Sequence, residues 1–331
     1  DSGARSYLCF RHGLQLTPYL GSRATFTLGQ FGGHGGRTLH TGDVLHIMPV
    51  TESPPLAIVP SDQRPQYSKH WTLHVIYGPH GAPDFFTPED IDTFFTTAWE
   101  VHYNSSRTGI RLVGPKPEWA RTDGGEAGLH PSNIHDNAYA IGSIDFTGDM
   151  PVILGPDGPS LGGFVCPATV IDADRWKLGQ LSPGDEVRFA AVDQATADSL
   201  SNAQETSIDN LCAPESNIRT RVPDTAILEQ IDADSNGVAI TYRASGDRNL
   251  LIEYGPQVLD INLRFRVPAL MLRLQELAIP GVRDLTPGIR SLQVHYDSRV
   301  LPTGQLVDRL QDLEQALGDI AGMEVPARVV H

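Results

Sequence analysis

Between His130 and Val170 the chain reads HPSNIHDNAYAIGSIDFTGDMPVILGPDGPSLGGFVCPATV, and this stretch concentrates groups that can do chemistry. His130 and His135 are imidazoles, able to take or give a proton near neutral pH. Asp136, Asp145 and Asp149 supply carboxylates; Ser132, Asn133 and Asn137 supply hydroxyl and amide groups. Together they can accept, donate and relay protons around a small polar molecule. The pair Gly162-Gly163 lacks side chains and permits a backbone to approach a ligand closely. Asp, Asn, Gly and Pro are also the ordinary residues of turns, so a plain turn-rich β segment is the competing reading.

The elements that must position these residues are mostly strands. Within the block, Ala140–Ile144 and Pro151–Leu154 are short apolar runs ending in polar turns, the pattern of strands that deliver side chains to a rim. Upstream, strands are expected at Ser6–Phe10, in the run DVLHIM (43–48), in WTLHVIYGP (71–79) and in GIRLVGP (109–115). Thr87–Glu100 reads as a helix: Thr87 caps it, Pro88 suits its first turn, and Ile91, Phe94, Phe95 and Trp99 recur at helical spacing. Downstream come a strand at 186–192 and a polar stretch, Ala195–Glu205, that is either helix or linker. Strands Gly237–Ala244, Leu250–Tyr254 and Ser291–Tyr296 follow. Helices are expected at Asp260–Leu277, with a kink or late start at Pro268, and at Thr303–Ala321. The sum is a mainly β first part, residues 1–204, a linker over 205–230, and a small α+β second part over 231–331.

Bulk properties narrow the partners. The formal charge of −15 on 331 residues repels phosphate backbones and anionic membrane surfaces, which argues against nucleic acid and membrane partners. Cys9, Cys166 and Cys212 are odd in number and widely spaced, so they read as reduced thiols in a cytoplasmic protein. The histidines His34, His40, His46, His102, His130 and His135 show no ligand spacing, and no metal site is expected. The run GSRATFTLGQFGGHGGR is glycine-rich but lacks the Lys-Ser/Thr pair of a phosphate-binding loop.

Two blocks carry a family resemblance. The His130 block resembles the carboxyltransferase part of urea carboxylase, and GVRDLTPGIRSLQVHYDSR (281–299) resembles the other half of the same carboxyltransferase. The halves are similar, respectively, to the two subunits of bacterial 5-oxoprolinase and to Kip-type regulatory proteins. The resemblance implies a cyclophilin-like β-barrel in the first part, N-terminally truncated here, and an α+β second part without its following barrel. It implies a fragment of a biotin- and ATP-dependent carbon–nitrogen ligase that moves a carboxyl group from carboxybiotin to urea, giving allophanate. Biotin would ride on a separate carrier domain and ATP would be used by a separate biotin carboxylase domain; these two domains and urea are the implied partners.

The same resemblance assigns roles. His135, Asp136 and Asp149 are the expected catalytic groups, with biotin acting as its own base as the alternative to His135. Ser132, Asn133, Asn137, Asp145, Gly162 and Gly163 are expected to bind urea or biotin. The motif LGSR with its glycine run adds Ser22 and Arg23 to the cleft, and SRTGIRL adds Arg107. Guanidine carboxylation, by almost the same pocket, and a non-enzymatic Kip-type interaction module are the alternatives.

Overall fold

The computed structural model describes residues 3–49, 58–61, 64–212, 218–233 and 237–317. The chain forms two compact units, Arg5–Arg64 and a larger one made of Asp1–Ala4 with Pro65–His331.

In the smaller unit, β1 (Thr25–Phe26) pairs antiparallel with β2 (Phe31–Gly32). Phe31 packs its ring 5.3 Å from Phe26 and 5.2 Å from Tyr19. The strands expected at Ser6–Phe10 and 43–48 do not form; one isolated bridge, Leu14 to Ile47, stands in their place. The reason is burial. Tyr7 and Leu8 are 86% and 83% exposed, so the run has no sheet face to cover.

The larger unit begins with β3 (His70–Tyr77), α1 (Pro88–Thr96), β4 (Trp99–Val101) and β5 (Gly109–Val113). Then come β6 (Asn133–Ala138), β7 (Ser143–Thr147), β8 (Met150–Leu154), β9 (Leu161–Phe164) and β10 (Ala168–Val170). α2 (Arg175–Leu178), β11 (Glu186–Ala191) and α3 (Gln194–Asn210) complete the first part. Seven strands close into a barrel in the order β10-β3-β11-β4-β5-β8-β7. β3 and β11 run parallel; the other neighbours are antiparallel.

Leu73, Val75, Leu112, Ile144, Phe146 and Ile153 belong to one core in which none exceeds 1% exposure, so the alternating apolar positions face inward. Helix α1 adds Phe94 to that core, stacked on Phe189 at 4.7 Å. Its capping box, Thr87 with Asp90, sets the start. The helix stops at Thr96, short of the expected Glu100, because Trp99 is committed to β4 and buried in the barrel. The polar stretch after β11 is a helix, capped by Asp193. β6 and β9 stand outside the barrel as a two-stranded ribbon.

The second part is a five-stranded antiparallel sheet, β12 (Ile227–Ile231), β13 (Ile240–Ala244), β14 (Asn249–Tyr254), β15 (Val282–Pro287) and β16 (Ser291–Tyr296), in the order β12-β13-β14-β16-β15. α4 (Ile261–Leu277) and α5 (Thr303–Leu317) pack on it through Val267, Leu270, Leu274, Leu306 and Leu310. α4 starts at Ile261 and runs through Pro268, so the late start does not occur. The expected helix end at Ala321 lies outside the described residues. The edge strands β12 and β15 were not legible in the sequence. None of their residues is buried, and pairing with a buried neighbour, not an apolar pattern, makes them strands.

Candidate active site at the seam of barrel and sheet

β6 carries the block's imidazole and carboxylate, and successive side chains of a strand point to opposite faces. His135 places Nε2 2.9 Å from Glu126 Oε2. Glu126 Oε1 accepts from Arg121 Nη2 at 3.3 Å, and Arg121 Nη1 donates to the carbonyls of Pro131 (3.1 Å) and Asn133 (2.7 Å). The Arg121 guanidinium lies over the Phe85 ring, 5.6 Å from its centre.

Asp136 reaches the second part. Its Oδ2 accepts the backbone N–H of Ile289 at 2.8 Å, and a Cβ at Gly288 would overlap that oxygen, so glycine lets the loop between β15 and β16 close on the carboxylate. Burial raises the Asp136 carboxyl above its ordinary range. Beside it, Glu253 is shared by Arg290 (2.6 Å) and Arg243 (2.5 Å); burial would raise this carboxyl, but the two guanidiniums outweigh burial and hold it low. His80 is 3% exposed and burial pushes its pKa to about 3, so the ring is neutral. Its Nδ1 accepts from the Cys166 N–H at 3.1 Å, which leaves the proton on Nε2.

Asp149 is elsewhere, at the tip of the β7–β8 hairpin, where Thr147 pairs with Met150 and Gly148 takes φ +65°. Its Oδ1 accepts from Trp119 Nε1 at 3.0 Å and lies 3.2 Å from His130 Nε2; Lys116 Nζ is 3.2 Å from Oδ2. Burial alone would raise this carboxyl, but those donors bring it below the usual value. His130 Nδ1 accepts the Ser132 N–H at 3.2 Å and lies 3.0 Å from Ser132 Oγ. Ser132 is fully buried and engaged with His130.

Asn137 and Asp145 are 1% and 4% exposed. Among the described residues, both amide atoms of Asn137 and Oδ1 of Asp145 lack hydrogen-bond partners, a costly state for buried polar atoms. Burial raises the Asp145 carboxyl to about 7, with Arg111 acting in the opposite direction. Cys166, also buried, has its thiol raised by burial, with the neighbouring Asn137 amide acting in the opposite direction.

Several expected binders are placed differently from the sequence reading. A Cβ at Gly162 would overlap the Tyr139 ring, and one at Gly163 would come 2.9 Å from the Ile134 carbonyl, so this glycine pair is required by packing of the ribbon itself. Arg107 is bound bidentately to Asp157, at 2.7 and 2.9 Å, on an exposed loop. In the smaller unit, Arg23 Nε donates to the Leu16 carbonyl at 3.0 Å and Ser22 Oγ accepts the Ala24 N–H at 3.0 Å. Asn133 contributes its carbonyl to Arg121.

The expected catalytic trio is thus divided: His135 faces Glu126, Asp136 faces the β15–β16 loop, and Asp149 serves His130, Trp119 and Lys116. The sequence reading passed over His80, Arg121, Glu126, Glu253 and Arg290. Arg290 lay within a motif of the resemblance and Glu253 within an expected strand, but neither was assigned a role; the others come from loops whose approach no spacing reveals. Among the described residues, no three His, Cys, Asp or Glu side chains are placed to hold a metal ion. None of the described helices is long and apolar enough to cross a membrane.

Comparison with known proteins agrees with this architecture. The chain is 42% identical over 334 residues to urea amidolyase of Lachancea kluyveri, covering 95% of this chain and 18% of that protein. Against urea amidolyase of Saccharomyces cerevisiae it is 42% identical over 308 residues, 89% of this chain and 17% of the relative. The chain therefore spans less than a fifth of these curated relatives. The crystal structure of Kluyveromyces lactis urea amidolyase superposes with a TM-score of 0.88 at 40% identity, over 96% of this chain and 20% of that one. Residues 1–191 match the family model for the carboxyltransferase domain, subdomain A and B, and residues 240–329 match subdomain C and D. With the barrel inside the first matched range and four of the five sheet strands inside the second, the chain belongs to the carboxyltransferase domain family.

Proposed function

We propose that this chain is the carboxyltransferase component of a biotin-dependent urea carboxylase, transferring the carboxyl group of carboxybiotin to a urea nitrogen to give allophanate. The observation that carries the reading is the 42% identity to a urea amidolyase across 95% of the chain, which includes β6 and its facing loop. The donor set fits a ureido ring. Asn137 has a buried amide with donor and acceptor both unspent among the described residues, and the guanidiniums of Arg121 and Arg290, each paired with a glutamate, lie on the two sides of the seam. Bound there, biotin supplies the transferable carboxyl group.

The chain's own residues do the rest. Asp136 spends Oδ2 on Ile289 and keeps Oδ1 to accept a urea N–H, which orients the attacking nitrogen. His135, side chain 20% exposed and paired with Glu126, stands next to Asp136 in β6 as the proton-accepting group of the reading, with biotin as its own base as the alternative. The carrier and biotin carboxylase domains are partners in this reading, ATP is consumed by the latter, and the protein works in the cytoplasm. The chain divides functionally into residues 1–204 and 231–331; the expected linker 205–230 is shorter than the sequence reading had it, since its start completes α3 and its end forms β12 of the sheet.

The test is turnover by the full-length protein carrying biotin. Urea should stimulate ATP hydrolysis, guanidine should do so at least about tenfold less, and Asp136→Ala should abolish the urea response. Stimulation by guanidine alone, or by neither, would sink the urea assignment.

A further inference from the structure

We propose that His80 selects urea over guanidine: its Nε2–H donates to the carbonyl oxygen of urea, and the backbone holds the ring so that Nε2 cannot become an acceptor. This role rests on the proposed function and names the residue that would set its substrate.

The segment leaving β3 clamps the ring. Gly78 N–H donates to the Pro167 carbonyl at 2.7 Å, and His80 N–H donates to the Cys166 carbonyl at 2.9 Å. The Cys166 N–H returns a hydrogen bond to His80 Nδ1 at 3.1 Å. A backbone N–H only donates, so Nδ1 holds a lone pair and the neutral ring keeps its hydrogen on Nε2. Flipping the ring would set a C–H against the Cys166 N–H and leave a buried donor unpaired. Phe85 packs edge-on against the imidazole, with ring centres 4.9 Å apart. Burial, aided by Arg243, Arg290 and Arg121 against Glu253, keeps the ring uncharged.

The sheet of the second part supplies the surroundings. Tyr242, Ile252, Tyr254, Leu292 and Val294 pack into the core with the helices, so Arg243, Glu253, Ser291 and Gln293, which alternate with them, take the other face. Glu253, Ser291 and Gln293 are nonetheless buried. His80 feels the charges of Arg243, Glu253 and Arg290 from this polar face. Asp136 shares two of these neighbours, Arg290 and Glu253, and is tied to the residue before Arg290 through the Ile289 N–H. A fixed donor and a carboxyl acceptor therefore border the same Arg290–Glu253 ion pair. Among the described residues nothing accepts the Nε2 hydrogen of His80. A buried donor in that state is costly unless a ligand brings the acceptor.

Urea answers both groups: its oxygen accepts from His80 Nε2 and an N–H donates to Asp136 Oδ1. Guanidine has the same flat shape but carries nitrogen where urea carries oxygen, and at neutral pH it is a cation with donors on every side, like the arginine head group. It would set N–H against N–H beside the guanidiniums of Arg243, Arg290 and Arg121. A histidine free to move its hydrogen to Nδ1 could adapt; one whose Nδ1 is held by Cys166 rejects the wrong partner.

The test compares urea and guanidine as stimulants of ATP hydrolysis by the full-length biotinylated protein. Where guanidine turnover is too slow to read, its inhibition constant against urea serves. His80→Phe keeps a ring against Phe85 and removes the donor. It should lower kcat/KM for urea by about 10²-fold and leave the guanidine value nearly unchanged, so that the preference for urea collapses. His80→Gln can accept the Cys166 N–H on its amide oxygen and offer its NH₂ in place of Nε2–H, so it should preserve the preference. A purely structural histidine gives another pattern: His80→Phe weakens both compounds together and their ratio stays, which overturns the selecting role. Loss of the preference in His80→Gln as complete as in His80→Phe overturns it too. Should His80→Phe not fold, His80→Met, which has no donor, must show the same collapse, and an unchanged ratio there overturns the role equally. A wild type that ignores urea sinks the proposed function itself; a urea-responsive wild type whose preference survives loss of the donor sinks only the role of His80.

Discussion

Replacing Asp145 by Asn should stabilise the protein, and by more the higher the pH. Asp145 lies in β7 with its side chain 4% exposed, and burial lifts its carboxyl from 3.8 to about 7. In the unfolded chain the group loses its proton near its ordinary value; in the folded chain it keeps it to neutrality. Between those limits the native state binds the extra proton, so this group's contribution is fully present below pH 3.8 and drains away as pH rises to about 7. At about 1.4 kcal/mol per pH decade, the complete penalty is ~4 kcal/mol. Asparagine keeps the shape and never ionises, so the variant escapes the penalty. The advantage of Asp145→Asn over wild type should grow by about 2 kcal/mol between pH 5.5 and 8. Guanidinium chloride unfolding at both pH values measures it; urea is avoided as a denaturant because it is the proposed substrate. Comparing the two proteins at each pH cancels every other titrating group. An advantage that stays constant, or shrinks, with rising pH would refute the reasoning.

Two further changes test placements that differ from the sequence reading. Gly162→Ala should cost about 1–3 kcal/mol in the same unfolding assay. The added methyl displaces the Tyr139 ring, whose hydroxyl accepts the Phe164 N–H at 2.7 Å and donates to the Phe164 carbonyl at 3.1 Å. Wild-type stability would mean the ribbon has room and the glycine pair is open to a ligand after all. Arg107→Ala should cost no more than about 1 kcal/mol and leave the KM for urea unchanged, since it removes an exposed ion pair with Asp157. A marked rise in KM would show that the guanidinium leaves Asp157 for a substrate.

What the sequence determined by itself was local and periodic. Alternating apolar residues in WTLHVIYGP and the short apolar run Pro151–Leu154 specify barrel strands, because both patterns depend only on near neighbours. Thr87 and Pro88 specify the start of α1, and the leucine and valine stripe of α5 its buried face, because capping and helical spacing depend only on near neighbours. The density of His, Asn and Asp after His130 marked the right stretch. Tertiary structure decided everything that depends on which chemically similar group comes near which. It halted α1 at Thr96, since Trp99 is worth more in the barrel core than on a helix. It made β12 and β15 strands through pairing alone. It gave Asp149 to His130 and Trp119, Asp136 to Ile289, and His135 to Glu126, partners that lie between 9 and 153 positions away in the chain or belong to separate loops. Such pairings leave no periodic trace, because a carboxylate reads the same in the chain whether it later meets an arginine, an imidazole or water.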